Sequence, residues 1–353
     1  MEWMRQLRAW LGEGTSCVSV VVAGVRGSIP REPGTRMLVS ADAMHGTVGG
    51  GNLEYKAIEL ARGMLAGEGA RIAQYRFPLG PSLGQCCGGA TWLVMERFLP
   101  HEAAAGLAML DELDAGLAGH PPALLATWLD GTQRPRVFSR RDAGCADGVA
   151  GSLPARHRAA ALALVGGAQA GALMADDVLL ERIAPPAFEV VLFGAGHVGR
   201  ALARVLGELP VSLTWVDSRE AEFPPDAAAN VRTRLTQDPE DEVARAAAGT
   251  AFLVMTHSHA LDQDLCERIL RRGDFAYLGL IGSGTKRARF EQRFAARSLD
   301  AGLVGRMTCP IGVPGVTGKE PGVIAVAVAA QLMQLRGARA SLAPPAPRGA
   351  TLG

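Results

Sequence analysis

Glu189-Val-Val-Leu-Phe-Gly194-Ala-Gly196-His-Val-Gly199-Arg200-Ala-Leu-Ala-Arg-Val-Leu206 decides the fold. A short apolar strand runs into a G-x-G-x-x-G turn. A helix follows, with Ala201, Leu202, Val205 and Leu206 at core spacing. In such a unit Gly194 permits the tight turn, Gly196 lets a pyrophosphate approach the main chain, and Gly199 lets the helix pack closely. A second strand, Val211-Ser-Leu-Thr-Trp-Val216, ends in Asp217, where an acid is placed to accept from a ribose hydroxyl. Strand, turn, helix, strand and acid in this order predict a Rossmann-like parallel sheet with helices on both faces. The ligand is less determined than the fold, since one fold serves many functions.

Working outward, Thr250-Ala-Phe-Leu-Val-Met255 is a continuous apolar run, as in a parallel sheet covered on both faces. It ends in Thr256-His257-Ser258-His259-Ala-Leu-Asp262-Gln-Asp264. Loops at the carboxyl ends of such strands line the ligand crevice, so His257, His259 and Asp262 face the same cleft as the glycine turn. They suit metal binding or proton handling, or Asp262 simply caps the following helix. Phe275-Ala-Tyr-Leu-Gly279-Leu-Ile-Gly282-Ser283-Gly284-Thr285-Lys286 is another glycine-rich strand-to-helix turn. Its reversed Thr285-Lys286 order rules out an ATP-hydrolysing P-loop. It leaves a second phosphate cradle with Lys286 at its mouth, or plain helix capping. A loop from Cys309 to Gly322 then feeds a long apolar helix, Val323 to Leu335, suited to packing in the sheet domain or at a dimer face.

The pair Pro185-Pro186 marks a domain boundary. Residues 1–184 form an N-terminal mixed α+β domain, 188–337 the Rossmann-like domain, and 338–353 a Pro/Ala/Gly-rich tail expected to be disordered. Two domains suit 353 residues. In the first, an amphipathic helix over residues 1–11 precedes the strand Cys17-Val-Ser-Val-Val-Val22 and a Gly/Pro loop whose Arg26, Ser28 and Arg31 suit an anion or a solvated turn. Thr35–Val39 returns as a strand. Gly49, Gly50 and Gly51 then precede a helical pattern. They form either a backbone cradle for an anion, with Asn52 as its cap, or a tight turn forced by packing. A second glycine loop holds Cys86 and Cys87 between Gly84 and Gly89, ahead of the strand Thr91–Met95. A thiolate there suits a soft metal or sulfur transfer, whereas a buried free cysteine is the plain alternative. A helix over 101–118, strands around 124–129 and 136–138 joined by Asp130-Gly131, and a strand over 178–183 complete the domain. Cys145, Asp147 and His157 show no spacing logic.

Composition narrows the partners. A net charge of +1 argues against nucleic acid or a membrane surface as the main partner. The first residues lack the separate basic and apolar regions of a signal peptide, and Ala159–Ala175 is too weakly apolar for a membrane span. Six cysteines with no C-x-x-C spacing fit a reducing cytoplasm.

Taken together, Gly27-Ser-Ile-Pro-Arg31, Gly46-Thr-Val-Gly-Gly-Gly51 with Leu53-Glu54, Cys87-Gly-Gly89, Phe193-Gly-Ala-Gly-His-Val-Gly199, Thr256-His-Ser-His259 with Asp262, Gly279-Leu-Ile-Gly-Ser283 and Pro310-Ile-Gly312 resemble the XdhC/CoxI family of accessory proteins for molybdenum hydroxylases. The motifs span residues 27–330. Gly284, Thr285 and Gly322 depart from the family pattern, where basic residues or an acid often stand. The resemblance implies a chaperone that binds molybdenum cofactor in its molybdopterin form, protects its sulfurated state and delivers it to apo-xanthine dehydrogenase. Implied partners are that enzyme's molybdenum-binding subunit, a cysteine desulfurase and a second copy of the chain. Arg31, Glu54, Cys86, Cys87, His197, Asp217, His257, His259, Asp262, Ser283, Lys286 and the glycines of both cradles are then the expected cofactor contacts, with Cys87 nearest molybdenum or its sulfur. Two other readings remain. One is an NAD(P)-dependent oxidoreductase using Asp217 for the ribose and His257 as acid and base. The other is nucleotidyl transfer at a magnesium site built on Asp262 and Asp264.

Overall fold

A computed structural model of the chain describes residues 1–27, 31–67, 69–79, 89–118, 122–138, 153–166, 171–184 and 188–342. The chain divides into two compact units, Met1–Pro185 and Pro186–Ala343.

The N-terminal unit holds two antiparallel sheets. Strands β1 (Cys17–Arg26), β2 (Arg36–Ser40), β3 (Met44–Gly46), β4 (Ile72–Pro78) and β5 (Ala90–Phe98) form one in the order β3-β2-β1-β5-β4. Strands β6 (Ala123–Trp128), β7 (Arg136–Phe138), β8 (Gly171–Ala175) and β9 (Val178–Ile183) form the other in the order β7-β6-β9-β8. Four helices accompany them: α1 (Glu2–Gly12), α2 (Gly51–Ala66), α3 (Ala103–Leu117) and α4 (Ala155–Val165). The β-branched run in β1 is buried on both faces. Val18, Val20 and Val22 pack with Leu53, Ala57 and Ala61 of α2, while Val21 and Ala23 meet Leu129 and Leu179 beside the second sheet. That two-sided burial explains why β1 shows no polar alternation.

Four elements of this unit carry no sequence expectation, among them the three-residue β3, none of whose residues is buried. β4 is an edge strand whose alternate residues are only half-buried, and β8 is half-buried throughout. The Ala-rich α4 buries only His157 and Ala161. A weak apolar face gives each a weak period.

Buried charges lie where the two sheets meet. Arg36 donates to both carboxylate oxygens of Glu181, at 2.7 and 2.8 Å, and to Ser19. Arg71 pairs with Glu96 at 2.5 Å. Burial nevertheless pushes the Glu96 carboxyl up to about 7, with nearby Glu181 adding to the rise and Arg71 and Arg36 opposing it.

The second unit is an all-parallel six-stranded sheet. Its strands are β10 (Glu189–Phe193), β11 (Ser212–Asp217), β12 (Val231–Leu235), β13 (Ala251–Val254), β14 (Tyr277–Leu280) and β15 (Met307–Thr308), in the order β12-β11-β10-β13-β14-β15. The parallel sheet predicted from the glycine turn is thus present, and its strand order is the doubly wound one. The helices are α5 (His197–Gly207), α6 (Glu240–Arg245), α7 (His259–Arg272), α8 (Gly284–Ala296), α9 (Ala301–Gly305) and α10 (Pro321–Leu342). Alternate residues of β13 serve opposite faces: Ala251 and Leu253 join the core under α5 and α10, and Phe252 and Val254 the core under α7 and α8.

The last helix departs from expectation at its end. It runs to Leu342, so residues 338–342 are helical rather than part of a disordered tail. Among the described residues, Pro321–Arg339 is the one helical segment long and apolar enough to cross a membrane, with a mean hydropathy of 1.2. Ala325, Val328, Ala329 and Leu332 of that segment are buried against the sheet domain's own core.

Glu96 makes stability depend on pH in a defined direction. The folded chain holds the Glu96 proton up to about pH 7, against an ordinary value of 4.5. The resulting stabilisation is complete below the ordinary value and is lost as pH rises through about 7. Thermal unfolding followed at successive pH values is expected to show the N-terminal transition falling by a few degrees between pH 5 and pH 7.5, and Glu96→Gln is expected to flatten that slope. A transition that instead rises over this range contradicts the assignment.

Candidate functional site

The C-terminal sheet reverses direction between β10 and β13. From β10 the chain winds outward through β11 and β12, and from β13 through β14 and β15. In open parallel sheets the ligand crevice lies at the carboxyl ends of the strands at this switch. The glycine turn borders it on one side. Gly194 has φ +112°, and a Cβ there would stand 2.3 Å from the Met255 carbonyl oxygen, so the turn and the loop after β13 touch backbone to backbone. A Cβ on Gly199 would stand 2.1 Å from the Gly194 oxygen, placing the start of α5 directly on the turn. Gly194 is also held by hydrogen bonds, its N–H donating to Val216 O (2.8 Å) and its carbonyl accepting from Trp215 Nε1 (3.0 Å).

Gly196 is different. A Cβ added there meets nothing within 4 Å, so the middle glycine opens the backbone to an approaching ligand rather than relieving a clash. Gly196 is the N-cap of α5 and no side chain caps that helix, whereas Ser258 caps α7 and Ser283 caps α8. The first N–H groups of α5, together with the positive end of its dipole, are thus left for an anion. His197 is exposed beside them.

Asp217 lies at the end of β11 as expected, but its carboxylate is already engaged. Oδ2 accepts from Ala195 N (2.6 Å) and Arg219 Nη2 (2.9 Å), and Oδ1 accepts from Arg219 N (3.0 Å) and Nε (2.9 Å). Burial opposes its ionisation, yet the Arg219 guanidinium and the two backbone bonds prevail and hold the carboxyl below the usual range. Sequence reading found the acid and missed its partner. The available signal was the Asp-x-Arg spacing.

The loop after β13 closes on itself and on α8. Asp262 is fully buried, with Oδ1 accepting from Thr256 N (2.9 Å) and Thr256 Oγ1 (2.7 Å). Lys286 Nζ reaches Oδ2 at 2.6 Å and also donates to Ile281 O at 3.0 Å. Two expectations are corrected here. Asp262 is not the helix cap, because Ser258 Oγ accepts from Leu261 N (3.3 Å) in that role. Lys286 does not stand at the mouth of a phosphate cradle, because the buried carboxylate draws its ammonium inward, leaving its side chain 12% exposed.

The remaining polar residues of this edge do not assemble a metal site. His257 and His259 are both exposed, and Asp264 is exposed beside Arg268 while Asp262 is buried. Among the described residues no group of three His, Cys, Asp or Glu side chains is gathered to hold a metal. Cys309 and Cys266 are buried beneath the loop, and burial raises both thiols above their ordinary range.

In the N-terminal unit Gly49, Gly50 and Gly51 have φ of 136°, 72° and 61°, forming a left-handed nest. The chain fills it. Glu54 Oε2 accepts from Thr47 Oγ1, from Val48 N (3.2 Å) and from Gly50 N (3.2 Å). The N-cap of α2 is Gly50 rather than Asn52, which lies inside the first turn. Arg31 is exposed. Ser28, Cys86, Cys87, Cys145 and Asp147 lie outside the described residues. His157 is fully buried on α4, with Nε2 3.1 Å from Asp177 Oδ1.

Comparison with known proteins agrees with this architecture. Residues 190–332 match the XdhC Rossmann domain, and residues 10–76 match the XdhC and CoxI family. A crystal structure from Bacillus halodurans, described as a xanthine dehydrogenase, superposes with a TM-score of 0.65 over 95% of this chain and 96% of that one, at 18% identity. At that identity the likeness is one of fold. No curated protein matches the sequence.

The buried ion pair yields a stability prediction. Removing one partner strands the other charge, at a cost of about 3–5 kcal/mol. Asp262→Ala is expected to lower the denaturant unfolding free energy of the C-terminal unit by roughly that amount. Asp262→Ala with Lys286→Met is expected to recover part of the loss. A single variant as stable as wild type contradicts a structural role for the pair.

Proposed function

The chain belongs to the XdhC and CoxI family, and from that premise we propose that it is a chaperone of molybdenum cofactor. Its cargo is the molybdopterin form of the cofactor. The protein shields the sulfurated state from water in the cytoplasm and hands it to apo-xanthine dehydrogenase. The description of the Bacillus halodurans relative as a xanthine dehydrogenase points to the same enzyme system. The partners in this reading are the molybdenum-binding subunit, a cysteine desulfurase and a second copy of the chain.

One observation carries the reading. The switch point of the C-terminal sheet offers uncapped helix N–H groups beside the open Gly196, a receptor for a phosphate on a bulky ligand. Molybdopterin brings such a phosphate, together with a hydrogen-bonding pterin and a dithiolene. Cys87, with Cys86 second, is our proposed thiolate for the metal or its terminal sulfur, since soft ligands suit that chemistry. His197, His257 and His259 are exposed donors of the crevice edge and serve the pterin in this reading.

The enzymatic alternatives fit the residues less well. Hydride transfer with NAD needs a ribose acceptor, and Asp217 has its lone pairs occupied. Nucleotidyl transfer needs paired carboxylates for magnesium, and Asp262 is buried on Lys286 while Asp264 is exposed.

Protein isolated from molybdenum-replete cells is expected to carry pterin, detected after oxidation to its fluorescent form. Cys87→Ala is expected to lower both pterin retention and activation of apo-enzyme. Gly196 has φ −66° and ψ −173°, a conformation open to other residues, so Gly196→Val is expected to fold normally and to weaken retention. Absence of pterin from wild type, with stoichiometric NAD(P) in its place, would sink the chaperone reading.

A further inference from the structure

In a Rossmann unit the acid at the end of the second strand receives the two ribose hydroxyls of a dinucleotide, and it needs free lone pairs to do so. A carboxylate has about four acceptor positions. In Asp217 four donors fill them: Ala195 N at 2.6 Å, Arg219 N at 3.0 Å, and Arg219 Nε and Nη2, each at 2.9 Å. The Asp217 side chain is 4% exposed, so a diol has neither an acceptor nor access.

The same contacts prepare Arg219 for a different ligand. Two of its five N–H groups are taken by Asp217, and the side chain remains 39% exposed. The guanidinium and Ala195 N bond the same oxygen of Asp217, which puts the cation beside the Gly194–Gly199 turn. Glu222 is the competing group. Its oxygens meet Arg219 Nη1 at 3.4 Å and Arg200 Nη2 at 3.1 Å, in partly exposed pairs that solvent screens. A phosphate dianion displacing Glu222 gains two guanidiniums in forked geometry, one already immobilised by the carboxylate behind it.

We infer that Arg219 is the specificity-determining residue of the crevice, admitting a ligand with a phosphate monoester beside the turn and refusing one that presents an unmodified ribose diol there. The inference rests on the crevice being the ligand site of the proposed function, and it names the chemistry of what enters. A 2′-phosphorylated adenine nucleotide and a pterin phosphate share that chemistry.

Calorimetric titration of the full chain with 5′-AMP, 2′,5′-ADP, NAD and NADP, with pterin content measured on the same preparations, tests it. Wild type is expected to bind 2′,5′-ADP and NADP roughly tenfold to a hundredfold more tightly than their counterparts without the 2′-phosphate. Arg219→Ala, which frees Asp217, is expected to lose that preference and gain NAD binding. Arg219→Lys keeps a cation against Asp217 but cannot fork, and is expected to lose the preference as well, so a poorly folded alanine variant does not stop the test. A wild type that binds no nucleotide, but loses retained pterin in both variants, assigns the monoester to the pterin. Equal binding of NAD and NADP by wild type overturns the inference. So does an unchanged preference in the variants, or pterin retention indifferent to Arg219 where no nucleotide binds. Discrimination between nucleotides with no pterin in any preparation upholds Arg219 and removes the cofactor cargo instead.

Discussion

The missing side chain at Gly194 is the constraint on which the C-terminal unit depends. Adjacent parallel strands run about 4.8 Å apart, so a turn leaving β10 passes within contact distance of the chain leaving β13. Only a residue without Cβ, in a left-handed conformation, lets the turn lie against the Met255 carbonyl. Once it does, the Gly194 carbonyl is presented to Trp215 and to the bare Cα of Gly199, and α5 settles on the turn. The opening at Gly196 follows from that settling, because the middle residue is carried out of the packed layer. Chemistry at this edge depends on backbone packing behind it.

Side-chain electrostatics then divide the edge into closed and open portions. Asp262 and Lys286 neutralise each other beneath the loop after β13, and Ser258 and Ser283 satisfy the helix starts on that side. Asp217 and Arg219 do the same at the end of β11, but with the cation outermost. Between them α5 begins without a side-chain cap. An anion meets least competition there. The burial of Asp262 and the partial exposure of Arg219 are opposite solutions to the same problem, a buried carboxylate at the carboxyl edge of the sheet. In the first the pair is structural, and in the second one member stays available.

Much of this was legible in the sequence, because it depends on local spacing. The strand-turn-helix unit at 189–206, the strand ending in Asp217 and the apolar run at 250–255 each follow from patterns a few residues long. Less legible was what depends on residues far apart or weakly patterned. Lys286 meets Asp262 across 24 positions and two elements. β12, with Arg232 and Arg234 on an exposed edge, has too few buried residues to announce a strand. Arg219 lay in plain view two residues after Asp217, yet which way its fork turns is a tertiary fact.

The glycine triplet of the first unit looks like a receptor, yet Glu54 sits in it as a tethered ligand. An internal group of this kind competes at the high effective concentration set by its short connection, so a free anion of similar charge displaces it only by bringing further contacts of its own. The nest therefore behaves as a latch between the Thr47–Gly50 turn and the first turn of α2. Its three glycines serve the fastening of a helix to a sheet. The same backbone geometry that advertises a binding site in a sequence can mark a joint in the folded chain, according to whether a carboxylate lies within reach a few residues on.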